Sequence, residues 1–191
     1  MVFIVRKGNP KGIRTWDDLL EQDVEVITPN PFTSGAAKWN LLAAYGDSDS
    51  GRGLDFVREL VDEHVKVQPK SGREALQTFL DGQGDVLLSY EYEATTAQKK
   101  GQTDVEFVVP ADTIKIDILI APTKEAPPEA REFVDYVRSA EGQKFFARWG
   151  YGAPAAKPGT FTIEDLGGWS EVNAQLFDPE KGRLAKVLEQ G

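Results

Sequence analysis

Val24-Glu25-Val26-Ile27-Thr28-Pro29-Asn30-Pro31 runs directly into Phe32-Thr33-Ser34-Gly35-Ala36-Ala37-Lys38-Trp39-Asn40-Leu41-Leu42. This restricts the chain to folds in which a buried strand passes to a helix through a stiff loop. The β-branched Val24, Val26 and Ile27 favour a strand. Pro29 and Pro31 end it, because neither can donate to a sheet ladder. The pattern predicts a helix from Gly35 onward, with Thr33 or Ser34 as its N-cap. Gly35, Ala36 and Ala37 leave the first turn without bulk, so a ligand can touch the backbone there. A helix start carries unpaired N–H groups and about half a positive charge, which suits an anion. An ordinary capped strand-to-helix turn has the same local sequence, so the stretch alone leaves both readings open.

The same alternation continues along the chain. Val2 to Val5 predicts a strand, and Lys7 to Gly12 a turn-rich loop. Thr15-Trp16-Asp17-Asp18 fits a capping box that opens a short helix through Leu20. Gly46 to Gly53 interrupts the central helix. Its acidic spacing is similar to a calcium loop, but Gly51 stands where an oxygen ligand belongs and the closing glutamate is missing. Leu54, Val57 and Val61 mark a second helix, Val65 to Val67 a strand, and Ser71-Gly72 the start of a third helix bearing Ala75, Leu76, Phe79 and Leu80. Asp85 to Leu88 predicts a buried strand that runs into Ser89-Tyr90 and a helix from Glu91. Val105 to Val109 and Ile114 to Ile120 are further expected strands, the latter half-exposed by its alternation. Pro127-Pro128 opens a helix with Phe133, Val134 and Val137 on one face, and another helix is expected from Gln143 to Trp149. Thr162 to Asp165 is a second capping box. Strands alternating with helices predict an α/β fold with a largely parallel sheet.

Little in the chain suits catalysis. His64, the only histidine among 191 residues, is expected to be exposed or to cap a helix end. No nucleophile–base set, metal cluster or nucleotide loop can be assembled, so no enzyme and no cofactor is expected. Glu91 and Glu93 diverge on a helix and are expected on a solvated face, while Trp39, Trp149 and Trp169 are expected to pack. A net charge of −9 argues against nucleic acid as a partner and against long-range steering of an anion. An anion site here has to work through local amide and hydroxyl dipoles. The chain has no cysteine and no basic–apolar signal-peptide pattern at its start.

The run Val2-Phe3-Ile4-Val5, Lys7-Gly8-Asn9-Pro10-Lys11-Gly12, Trp16-Asp17-Asp18-Leu19, Ile27-Thr28-Pro29-Asn30-Pro31 and Thr33-Ser34-Gly35 closely resembles the sulfate- and thiosulfate-binding proteins of bacterial ABC transporters. The resemblance continues through Gly84-Asp85-Val86-Leu87-Leu88, Glu93-Ala94, Ser139-Ala140-Glu141-Gly142-Gln143, Phe161-Thr162-Ile163-Glu164-Asp165 and Gly167-Gly168-Trp169, so it covers nearly the whole chain. It implies the type II periplasmic-binding-protein fold, two α/β lobes that close on an oxyanion, in a periplasmic or extracellular setting. It implies the membrane subunits of an ABC importer as partners. A Ser-Gly-Gly turn that holds sulfate in the family matches Ser34, Gly35 and Ala36. A further family amide falls on Gly72, and a tryptophan indole contact falls on Tyr90. Thr33, Ser71 and Ser89 flank these positions as secondary candidates. Two of the matches depart from the family, alanine for the second glycine and tyrosine for tryptophan.

Neutral donors suit a fully ionised dianion, and the three loops Thr33–Ala36, Ser71-Gly72 and Ser89-Tyr90 contain no carboxylate that could accept a proton. That predicts sulfate or thiosulfate ahead of molybdate and phosphate. By the same resemblance, residues 6–108 form one complete lobe, and residues 1–5 and 109–191 form hinge strands and the returning portion of a second lobe that lacks its N-terminal segment. Self-association through the incomplete lobe is then expected. The alternative is a truncated interaction protein that retains the lobe without competent anion capture.

Overall fold

The computed structural model describes residues 1–151 and 159–188. Its centre is a five-stranded sheet of β1 (Val2–Arg6), β2 (Val26–Ile27), β3 (Val65–Val67), β4 (Val86–Ser89) and β5 (Val105–Val108), in the order β3-β2-β4-β1-β5. β2 pairs parallel with β3 and β4, whereas β1 runs antiparallel to β4 and β5. Four strands therefore share one direction and β1 opposes them. The expected parallel α/β sheet is present with one reversed central strand.

β1 is buried on both faces because helices cover both sides of the sheet. Successive side chains point to opposite faces. Phe3 and Val5 join Val26, Val86 and Leu88 in one core, where α1 (Gly35–Tyr45) and α2 (Leu54–Glu59, continued by a π turn at Leu60–His64) contribute Leu41, Leu42, Val57 and Leu60. Val2 and Ile4 join Ile27 and Leu87 in the other core, under Ala75 and Phe79 of α3 (Gly72–Leu80) and Ala94 of α4 (Glu91–Lys99). Trp16 closes the first core edge-on to Phe3, with ring centroids 4.8 Å apart. Ile114, Phe161 and Ile163 belong to that core too, as do Val172 of α7 (Gly168–Val172, continued by a π turn at Asn173–Phe177), Leu176 of that turn and Leu184 of α8 (Arg183–Leu188).

Two arginines tie distant segments together. The Arg6 guanidinium donates to the carbonyls of Phe79, Gln83 and Gly84 and lies 3.8 Å from the Phe79 ring centroid, so it locks the end of β1 to the turn after α3. Arg52, whose side chain is 7% exposed, donates to the carbonyls of Ala43 and Ala44 at the end of α1 and pairs with the carboxylate of Asp112. The Trp16 indole N–H donates to the Asp112 carbonyl at 2.9 Å.

Both capping boxes fold as local loops rather than as helix starts of full length. Asp18 accepts from the Arg14 and Thr15 amides ahead of a single 3-10 turn at Asp17–Leu20. Asp165 accepts from both the amide and the hydroxyl of Thr162. Burial raises the Asp18 pKa, but the Thr15 and Arg14 hydrogen bonds outweigh it and hold the group below its ordinary value.

The expected strand Ile114–Ile120 does not form. Only Ile114 makes a bridge, to Phe161, and Ile118 and Leu119 stand 72% and 90% exposed. Alternation marks a residue run that can enter a sheet, but the ladder needs a neighbouring strand, and no strand among the described residues runs beside it. α5 (Pro128–Arg138) likewise buries Val134 and leaves Phe133 60% exposed. α6 (Ala140–Ala147), capped by Ser139, exposes Phe145 and Phe146. His64 is not exposed: it is buried at the end of the π turn with Nδ1 3.2 Å from the Val24 carbonyl.

Candidate functional site

Three turns come together at the carboxyl ends of β2, β3 and β4, where open α/β sheets collect ligands. The first is the proline loop. The Asn30 carboxamide oxygen accepts from the Phe32 amide, and the Asn30 carbonyl accepts from the Thr33 and Ser34 amides. This curls the chain so that Ser34 sits extended, with φ −129° and ψ 123°, one residue ahead of α1. Asn40 fixes α1 from behind, its Nδ2 donating to the Thr28 hydroxyl at 2.8 Å and to the Leu88 carbonyl at 2.9 Å.

The second turn is bolted to the first. The Asn30 amide donates to the Pro69 carbonyl at 2.8 Å, and the Thr33 hydroxyl donates to the Lys70 carbonyl at 2.8 Å. Thr33 is thereby committed to holding two loops together. Ser71 caps α3 by accepting from the Glu74 amide at 3.2 Å. Ser34 occupies the equivalent position on α1 but makes no side-chain cap bond. The helix starts thus differ in kind: the Ser71 hydroxyl is used as a cap and the Ser34 hydroxyl is not. Among the described residues, the amides of Gly35, Ala36 and Gly72 make no hydrogen bond. A side-chain carbon on Gly72 would stand 3.6 Å from the Ala36 methyl, so the two helix starts are in near contact.

The third turn ends β4. Tyr90 is the N-cap residue of α4, stacked against Tyr92 with centroids 5.4 Å apart, and Tyr92 stacks in turn on Tyr151 at 4.3 Å. Burial and the nearby Glu93 charge push the Tyr90 phenol up to about 12 and raise Tyr92 as well. Ser89 is buried and its hydroxyl donates to Glu93.

Ala36, Ser71, Gly72, Arg73, Glu74, Tyr90, Tyr92 and Glu93 line one open pocket of about 520 Å³. Of the sequence-predicted residues, Ala36, Gly72, Ser71 and Tyr90 are brought together directly. Ser34 and Gly35 precede Ala36 at the same helix start, and Ser89 lies beneath, bonded to Glu93. A smaller cavity of about 150 Å³, lined mainly by apolar groups such as Pro31, Phe32 and Phe177, holds Lys38 as its one cation among the described residues.

One expectation is overturned. Glu93 was expected on a solvated helix face. Glu93 instead turns back over the start of α4 into the pocket, where burial raises its pKa against the opposing Ser89 hydrogen bond and Arg73 charge. It is the third residue of the helix that Tyr90 caps, and a glutamate there commonly folds back over the helix start. That spacing was the available signal.

The model of the family described as bacterial extracellular solute-binding protein matches residues 1–152. The chain is similar to the structure of the sulfate-binding protein SubI from Mycobacterium tuberculosis H37Rv, with a TM-score of 0.80 and 44% identity over 93% of this chain and 68% of that one. It is 36% identical to a sulfate-binding protein of Escherichia coli, covering 93% of this chain and 61% of that protein. It is 33% identical to a thiosulfate-binding protein of the same species, covering 100% and 64%. The chain thus spans less than two thirds of the length of these curated relatives. A periplasmic thiamin-binding protein, 21% identical with a TM-score of 0.63, shares the fold.

Proposed function

This chain belongs to the bacterial extracellular solute-binding proteins, in their sulfate- and thiosulfate-binding branch, and we propose that it holds sulfate or a similar tetrahedral oxyanion for an ABC importer, working outside the cytoplasm. Ser34, Gly35 and Ala36 supply a hydroxyl and two amides, Gly72 a third amide, and Tyr90 a phenol at the rim. The observation that carries this reading is the near contact of two helix starts whose amides have no partner among the described residues, beside a serine hydroxyl that caps nothing. Each amide bond to the dianion is charge-assisted and contributes about 1.5–3 kcal/mol. The sulfate- and thiosulfate-binding relatives are named for a solute they bind, which supports a binding rather than a catalytic role for the pocket.

Calorimetric titration with sulfate, thiosulfate, molybdate and phosphate tests the ligand class. The Ser34→Ala variant tests the site. Because the Ser34 hydroxyl makes no cap bond, its removal should leave thermal unfolding unchanged and weaken sulfate binding by about 1.5–3 kcal/mol. Equal affinity in wild type and variant would remove Ser34 from the site.

The division proposed with this function is a lobe of residues 6–108, with 1–5 and 109–191 as hinge strands and the returning portion of the second lobe. Ile118, Leu119, Phe133, Phe145 and Phe146 together expose apolar surface along that portion. Exposed apolar surface of this kind associates readily, and we expect a second copy of the chain to cover it. Light scattering after size-exclusion chromatography at micromolar concentration should show a dimer. A monodisperse monomer of 21.1 kDa would contradict this.

A further inference from the structure

We propose that the cavity between α1 and α8 is a second ligand site, taking a small organic monocarboxylate whose apolar body fills it and whose carboxylate meets Lys38. The cavity holds about 150 Å³, and its walls include Pro31 and Phe32 of the proline loop, Phe177 and Pro179 ahead of α8, and Leu188 at the end of α8. An apolar cavity of about that volume takes one benzene ring. Lys38 is its one cation among the described residues, and none of the residues that line it carries a carboxylate. It shares no lining residue with the larger pocket over the starts of α3 and α4, so occupancy of one does not require the other.

Lys38 is not spent on the fold. Its Nζ lies 4.9 Å from the Phe177 ring centroid, and it belongs to none of the ion pairs among the described residues. Asp178, the acidic residue next to Phe177, is turned into its own loop, where Oδ1 accepts from the Glu180 and Lys181 amides at 3.0 and 2.8 Å. A carboxylate set against Lys38 gains a charge-assisted hydrogen bond, strengthened by the low-dielectric wall beside it. One cation among apolar walls matches one negative charge on an apolar body. Sulfate, with two charges and no apolar part, does not match.

The walls are held in place by the chain itself. Asn30 fixes the proline loop, accepting from the Phe32 amide through its side chain and donating its own amide to the Pro69 carbonyl. The Gly182 amide donates to the Asp178 carbonyl, and a side-chain carbon on Gly182 would stand 2.5 Å from that oxygen, so the turn between Phe177 and α8 closes tightly. Phe32 is 60% exposed and marks the open side of the cavity. A preformed cavity of this kind spends little binding energy on ordering its walls.

Benzoate is the probe, with benzamide as an uncharged molecule of the same shape. Nitrogen–proton NMR of the full chain at neutral pH should show saturable shifts of the Lys38, Phe177 and Leu188 amides at about millimolar benzoate, and benzamide should bind about tenfold more weakly or less. Lys38→Met keeps the apolar stem and loses the charge, and should bring benzoate down to the affinity of benzamide with thermal unfolding unchanged. Saturating sulfate should leave the benzoate affinity as it was. Equal affinity of the wild type for benzoate and benzamide, or equal benzoate affinity in wild type and Lys38→Met, would overturn the pairing with Lys38. The absence of saturable shifts at these residues, or displacement of benzoate by sulfate, would overturn the site and leave the reading of the oxyanion pocket standing.

Discussion

Gly35→Pro is expected to abolish sulfate binding while leaving the fold intact. Gly35 is the first residue of α1, with Ser34 as N-cap. Proline is favoured at that position, because its missing N–H has no partner within the helix and its fixed φ matches the first turn. Ser34 already has the extended φ and ψ that a residue before proline prefers. A side-chain carbon at Gly35 would meet nothing within 4 Å. The substitution therefore deletes one amide donor and puts a ring where the anion sits, without straining the chain. Loss of a charge-assisted bond plus steric exclusion should weaken sulfate binding by at least about a hundredfold. Gly35→Ala keeps the N–H and should bind like the wild type. Calorimetry on both variants, with thermal unfolding as the check on folding, separates amide loss from general damage. Retained binding in Gly35→Pro would show that the anion lies elsewhere.

Arg52→Ala is expected to destabilise the protein by about 3 kcal/mol, the low end of the range for breaking a buried ion pair by removing one partner, because Asp112 keeps part of its surface in water. The guanidinium does three things at once. It takes the Ala43 and Ala44 carbonyls that the last turn of α1 leaves open, neutralises Asp112, and lies 5.1 Å from the Trp16 ring centroid. Its loss strands two carbonyls and a carboxylate next to the main core. Chemical denaturation should place the midpoint well below that of the wild type, with little dependence on salt because the arginine is buried. Asp112→Asn, which keeps a hydrogen-bond acceptor for Arg52, should cost less. A loss under about 1 kcal/mol for Arg52→Ala would show that the contact is incidental.

Sequence was most informative where the physics is local. The apolar runs of β1 and β4, the valines of β3 and β5 and the two prolines after β2 mark strands and their ends through burial, propensity and missing donors, and each lies where those properties place it. Helix starts at Gly35, Gly72 and Glu91 were legible for the same reason. The Ile114–Ile120 run was misread because its alternation is local while its pairing partner is not. His64 was misread because its burial depends on the Val24 carbonyl, 40 positions away. Glu93 was misread because helical spacing was applied to it as though it stood in mid-helix. At the third position of a helix whose preceding strand ends in Ser89, a glutamate can reach back, and here it does. The crosslinks that bring the first two loops together, Asn30 to Pro69 and Thr33 to Lys70, join residues about 40 apart and have no local sequence signature.

On this reading the amides at the starts of α1 and α3 hold the anion jointly. Amide chemical shifts followed by two-dimensional nitrogen–proton NMR during a sulfate titration test it most directly. The Gly35, Ala36 and Gly72 amides should shift downfield along a single saturation curve, with the Asn40 side-chain amide, which anchors α1 from behind, changing little. Saturable binding that leaves all three amides unmoved, or shifts confined to residues outside this pocket, would contradict it.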